Sequence, residues 1–161
     1  MTGFDGGKKI KGVKKSITVD TTGFPPNAHF ILINTANTSE RKMCKTGFEE
    51  VQKDDLCLLK NIQKNICDGG YDGQDFLEMM KNEFDLEIEI TQRTDIKNGI
   101  VSKIRWISER SFAWLDKNRR LSKNYERLFR STKSLIILGF IRLLCRRLTG
   151  GCSLKWVKRE I

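Results

Sequence analysis

The chain has little of what hydrolytic and redox chemistry needs. Its 161 residues hold one histidine, His29. Ser-His and Cys-His hydrolases would both depend on that ring, and no nucleophile-elbow motif accompanies it. The five cysteines, Cys44, Cys57, Cys67, Cys145 and Cys152, are odd in number, and no two have CxxC spacing. That pattern argues against a zinc site or a disulfide framework and for reduced thiols. Two prolines and 39% hydrophobic residues argue against a disordered chain. Residues 1–15 carry lysines and glycines but no apolar segment of a secretory leader. The best membrane candidate, Leu135–Cys145, contains Arg142. As a helix it spans roughly 16 Å, about half a bilayer core, so it reads as a buried helix.

Charge is plentiful and unevenly placed. Residues 1–15 carry five lysines and one acid, residues 16–102 nine bases and 15 acids, and residues 103–161 16 bases and four acids. The net charge of +10 is thus a basic half on an acidic body, which suits a polyanion such as nucleic acid or, more plainly, a solvated basic face.

The hydropathy pattern predicts an α/β sandwich with a mixed sheet. Residues 1–7 read as loop, Lys8–Asp20 as a strand, Thr21–Asn27 as a turn and His29–Ile33 as a second strand. Ser39 is placed to cap a helix whose first turn holds Glu40 and Arg41, with amphipathic helix continuing around Gly47–Lys60. A short strand ends at Cys67. Gln74–Phe84 is a helix with Phe76, Leu77, Met80 and Phe84 on one face. Leu86–Thr91 alternates as a strand, Asp95–Gly99 is a turn, and Lys103–Lys117 and Ser131–Leu148 are helices.

Two acids stand out. Asp68 follows the short strand and opens a glycine turn, NICDGGYDG, where an aspartate either shapes the turn or serves as a metal ligand. On a helical wheel, Ile104, Ile107, Ser111, Trp114 and Leu115 share one face of Lys103–Lys117. Arg105, Glu109 and Asp116 cluster opposite. Arg105 and Glu109 are one turn apart, the spacing of a surface ion pair.

Three segments together resemble the DDE transposases of bacterial insertion sequences. They are GFDGGKKIKGVKKSITVDTTG (Gly3–Gly23), CDGGYDG (Cys67–Gly73) and RWISERSFAWLDKNRRLSKNYERL (Arg105–Leu128), followed by an apolar helix with arginines up to Leu148. The resemblance implies a ribonuclease-H-like mixed sheet flanked by helices over residues 1–148, with 149–161 as a tail. It implies two Asp and one Glu holding two Mg²⁺ or Mn²⁺ ions that activate a hydroxyl for attack on a DNA phosphodiester. Carried over by motif, Asp68 is the second acid, Glu109 the third, and Arg105 orients Glu109 or meets the scissile phosphate. Asp20 ends a strand beside the site, and the glycines after Asp68 let DNA backbone approach.

In that family the first acid lies on a strand before the GGKKIKG segment, central in the sheet. Here only Asp5 precedes it, in a glycine loop. The expectation is therefore a fragment without its central strand, inactive alone. An upstream polypeptide would have to complete it, or the fragment would act on a full-length transposase. The implied partners are transposon ends and target DNA, in the bacterial cytoplasm and with no membrane. Arg110, Lys117, Arg119, Arg120, Lys123, Arg127 and Arg130 are expected to line the DNA backbone. Trp114 is assigned to the core, whereas Trp106 and Phe112 could stack on bases.

Overall fold

The alternating stretch IKGVKKSI forms the strand on which the rest is assembled. This strand, β2 (Ile10–Ile17), pairs antiparallel with β3 (Ile31–Thr35), with Ile17 opposite Ile31. Its other edge takes β1 (Gly3–Asp5) across Ile10–Gly12. The loop expected over residues 1–7 is thus partly strand. The Asp5 carboxylate accepts the Gly7 N–H at 2.9 Å, and Lys9 reverses the chain at φ 52°, folding Gly3–Asp5 back onto β2. The computed structural model describes residues 2–7, 9–54, 56–62, 64–91 and 103–149, with backbone alone for 56 and 103–105. The turn expected at Asp95–Gly99 and the tail from 150 onward lie outside the described residues.

After β3 come α1 (Glu40–Asp54) and α2 (Leu56–Asn61). Ser39 caps α1 as expected, its hydroxyl accepting the Lys42 N–H at 3.2 Å. Then follow β4 (Asn65–Asp68), α3 (Gln74–Phe84) and β5 (Ile88–Thr91). β4 and β5 pair in parallel, with Asn65 opposite Ile88 and Asp68 opposite Thr91. The chain closes with α4 (Lys103–Asp116), a single turn α5 (Arg119–Ser122) and α6 (Phe129–Leu148). The second strand begins two residues later than its apolar run suggests. Asn27 caps a 3-10 turn over Ala28–Phe30 by accepting the His29 N–H at 3.1 Å, and that turn consumes His29 and Phe30.

The period-2 alternation of β3 sends neighbouring side chains to opposite faces. Phe30 enters a core with Phe48 and Val51 of α1 and Phe76, Met80 and Phe84 of α3. Ile31 enters a second core with Trp114 and Leu115 of α4, Leu121 of α5 and Ile136 and Phe140 of α6. The result is a mixed α/β arrangement with helices against both faces. Among the described residues its strands form two sheets, β1-β2-β3 and β4-β5, where the sequence pattern suggests one. No described helix is long and apolar enough to cross a membrane.

Phe48 is 1% exposed and packs edge-on against Phe30 with centroids 5.2 Å apart, and against Phe84 at 5.8 Å. Phe48→Ala is expected to cost about 3–5 kcal/mol, read from the urea midpoint.

Candidate functional site

β4 ends at Asp68, whose side chain accepts the Gly69 N–H at 2.8 Å and caps a 3-10 turn over Gly69–Tyr71. Asp68 therefore shapes the turn. It is exposed, and its second oxygen accepts no hydrogen bond from a described residue. The first turn of α1 clasps the glycine run. A Cβ on Gly70 would collide with the Glu40 carboxylate, and one on Gly73 would meet the Arg41 guanidinium at 2.8 Å. Arg41 also donates to the Asp72 carbonyl. Only Gly69 faces open space on this loop. The glycines expected to admit DNA backbone thus mostly admit α1, because Glu40 and Arg41 project from the helix end nearest the loop. The sequence carries no spacing signal for that clasp. Asp75 sits in the first turn of α3, as a helix-start acid should.

α4 is held against the turn that follows β2. Asp20 accepts from the Thr22 N–H at 2.9 Å, the Thr22 hydroxyl at 2.7 Å and the Phe24 N–H at 3.0 Å. That leaves Gly23 at φ 89°, with its carbonyl accepting from the Ser111 hydroxyl at 2.7 Å. Arg110 donates to the Thr22 carbonyl at 2.9 Å and lies over the rings of Trp106 and Trp114 at 4.6 and 4.9 Å. Arg110, expected on DNA, is engaged here within the fold. Ser111, Trp114 and Leu115 are buried as the wheel places them, while Glu109 and Asp116 are exposed. The backbone of Arg105 lies in α4 one turn before Glu109; its side chain and that of Ile104 lie outside the described residues.

A cavity of about 400 Å³ runs between β2 and β4. Asp68 lines it, as do Ile107, Ser108 and Phe112 of α4, so the end of β4 and the helix carrying Glu109 share one space. The hydroxyls of Ser16 and Tyr71 meet across it at 3.4 Å. Cys44 and Cys67 also line it. Burial pushes the Cys44 thiol up to about 12, with a smaller contribution from Cys67, and pushes Cys67 up to about 11. Burial likewise raises Tyr71 to about 12. Neither thiol is a ready nucleophile at neutral pH. No group of three or more His, Cys, Asp or Glu able to hold a metal ion occurs among the described residues. His29 is held between Glu50 at 3.0 Å and Asp54 at 2.9 Å, which ties the 3-10 turn to α1.

The basic half is displayed along α5 and α6. Arg119, Lys123, Arg127 and Arg130 are exposed. Arg120 is exposed and pairs with Glu126 at 3.0 Å, and Lys117 is exposed but not without a partner. Sequence reasoning missed Arg142, Arg146 and Arg147, which line a cavity of about 170 Å³ floored by Phe24 and Trp114. Arg147 lies over both rings, at 4.6 and 5.2 Å. The i, i+4 spacing of Arg142 and Arg146 on α6 was the available signal. Trp106 is 50% exposed beneath Arg110, and Phe112 lines the larger cavity.

A family model for the transposase DDE domain matches residues 2–144. The chain belongs to that family. No curated protein and no solved structure matches it.

Two outcomes follow from this geometry. Gly70→Ala is expected to lower stability by less than about 1 kcal/mol, because the Glu40 carboxylate it meets ends a flexible side chain that can turn aside, and Glu40→Ala should restore most of the loss. Gly69→Ala should change it by less than about 0.5 kcal/mol, all read by urea denaturation. In a Cys152→Ser background, iodoacetamide at pH 8 should modify Cys57 and Cys145 first, and the Cys67 rate should keep rising toward pH 11. The folded thiols hold protons above the ordinary value of 9.0, so they favour folding below about pH 9, and that contribution fades as pH climbs through about 11.

Proposed function

We propose that the chain is the DNA-engaging portion of a DDE transposase catalytic domain with a ribonuclease-H-like layout, and that it does not cleave DNA alone. The observation that carries this reading is the family match over residues 2–144, together with the placement of Asp68 and α4 on one cavity. In this reading Asp68 and Glu109 are two of the three site carboxylates, and Arg105 steadies Glu109 or contacts phosphate. The residues present do not fit a two-ion Mg²⁺ or Mn²⁺ centre. Such ions take oxygen ligands from several converging carboxylates, and no such convergence occurs among the described residues.

The chain's own residues supply phosphate contacts. Between Lys117 and Arg147 there are ten Lys/Arg and one acid, Glu126. Arg119, Lys123, Arg127 and Arg130 can each neutralise a backbone phosphate without reading sequence. A second reading draws on the same incomplete carboxylate set: a fragment that holds DNA, or joins a full-length transposase, without cutting.

A supercoiled-plasmid nicking assay with Mg²⁺ or Mn²⁺ tests the first point. No nicking above background is expected, and robust nicking that vanishes in Asp68→Ala would overturn it. DNA affinity should fall about 10³-fold or more between 50 and 200 mM salt if six or more phosphates are contacted. Replacing Arg119, Lys123 and Arg127 together by Ala should flatten the log–log slope by about 2–3. A salt-independent affinity would reject the proposed DNA face.

A further inference from the structure

The smaller cavity, about 170 Å³, gathers positive charge around an aromatic floor. Arg142, Arg146 and Arg147 line it from α6, and Lys117 from the link between α4 and α5. No carboxylate is among its described lining residues. Two of the guanidiniums are held in place. Arg147 stacks over Phe24 at 4.6 Å and Trp114 at 5.2 Å, and Arg142 donates to Asn118 Oδ1 at 3.3 Å. Stacking uses the face of a guanidinium and leaves the N–H groups along its edge to donate elsewhere. A further donor belongs to the floor. The indole N–H of Trp114, a residue 4% exposed, is buried with no hydrogen-bond partner among the described residues. A buried N–H left unpaired is costly, so such a group marks a place where an acceptor belongs.

We propose that this cavity binds a small phosphate monoester by its terminal phosphate. Like charges gathered around one space repel, and an anion between them relieves that repulsion. Guanidinium edges match phosphate oxygens in pairs, which favours phosphate over a halide. Charge selects the ester. A monoester carries about −1.5 to −2 at pH 7, a backbone diester one charge, and three arginines around one space reward the higher charge. Size selects a small molecule. About 170 Å³ equals the liquid volume of roughly six waters, which suits a phosphate with a short stem and not a polymer. Gly139 and Leu143 supply apolar lining for that stem. Arg147 already covers the Phe24 and Trp114 rings, so recognition rests on the phosphate and not on a stacked base. The proposed DNA face differs, because Arg119, Lys123, Arg127 and Arg130 are exposed and lie outside the described lining of this cavity.

The site rests on the cavity alone and its test involves no DNA, so it and the transposase reading can fail separately. The full chain is titrated with inorganic phosphate, methyl phosphate and dimethyl phosphate, with ionic strength held constant by sodium chloride. NMR follows the Nε–H signals of Arg142, Arg146 and Arg147 and the indole N–H of Trp114. Phosphate and methyl phosphate should move all four along one saturating curve with a midpoint of about 1–10 mM. Dimethyl phosphate, which stands for a DNA backbone, should bind at least about tenfold more weakly. Arg146→Ala should weaken methyl phosphate by about tenfold, and so should Arg147→Lys, because an ammonium neither forks nor stacks as a guanidinium does. Lys123→Ala with Arg127→Ala should leave it unchanged. No saturation below about 50 mM, or the same response to chloride, overturns the site. Movement of the arginines without Trp114 places the anion on the rim and overturns the cavity. Equal binding of dimethyl phosphate overturns the choice of a monoester.

Discussion

One buried hydrogen bond sets where the helix carrying Glu109 lies. The Ser111 hydroxyl, 1% exposed as a residue, reaches the Gly23 carbonyl at 2.7 Å and also bonds Ile107 of its own helix at 2.9 Å. A Cβ on Gly23 would sit 3.0 Å from both Arg110 and Ser111 and 3.2 Å from Trp114. All three belong to α4, and φ 89° already disfavours any side chain there. The Asp20 carboxylate holds the turn in that conformation through three hydrogen bonds. The motif VDTTG thus acts as a joint: its aspartate shapes a corner, and its glycine lets a helix nearly 90 residues later rest directly on the backbone. The orientation of Glu109 on α4 depends on that joint, while α6 packs directly on β3.

The same layer that carries the joint is divided. The β1-β2-β3 unit contributes to the cores on both its faces, since Phe30 and Ile31 point to opposite sides. The β4-β5 unit adds Ile88 to the α1–α3 side. Among the described residues, the turn that follows β4 meets β2 through a Ser16–Tyr71 hydroxyl contact of 3.4 Å. Helices on both faces therefore hold the layer together more than strand pairing does.

Elements with strong periodicity were legible in the sequence. Gln74–Phe84 and the buried face of Ser111, Trp114 and Leu115 follow from the 3.6-residue repeat alone. β1 was not legible, because a three-residue strand beside a glycine pair has no period to read. The boundary at His29–Phe30 shifted because a local Asn27 cap outcompetes strand pairing over those residues. The role of Asp68 was half legible: its position at a strand end and its two readings, turn-former or metal ligand, were clear, but the sequence did not show that its carboxylate caps the turn. Long-range contacts were the least legible. Neither the clasp of Glu40 and Arg41 on the glycine loop nor the diversion of Arg110 into an aromatic stack has a sequence spacing that reports it.

Charge follows the same partition as packing. The helices on the Phe30 side are balanced or acidic: α1 carries four acids and four bases, and α3 three acids and one base. On the Ile31 side α5 and α6 carry bases and no acids, α4 is nearly balanced, and Lys133 of α6 approaches Glu50 of α1 at 3.8 Å, a cross-link between the two sets. A polyanion approaching this molecule is therefore drawn to one side of the sheet layer, the side on which α4 lies. The exposed end of β4, with Asp68, opens onto the cavity that α4 also borders. The attraction by α5 and α6 and the exposed Asp68 carboxylate at the cavity edge are opposed in sign. A phosphate backbone held by the arginines of α5 and α6 would meet the Asp68 carboxylate at close range only with a cation between them, because two like charges a few ångströms apart repel.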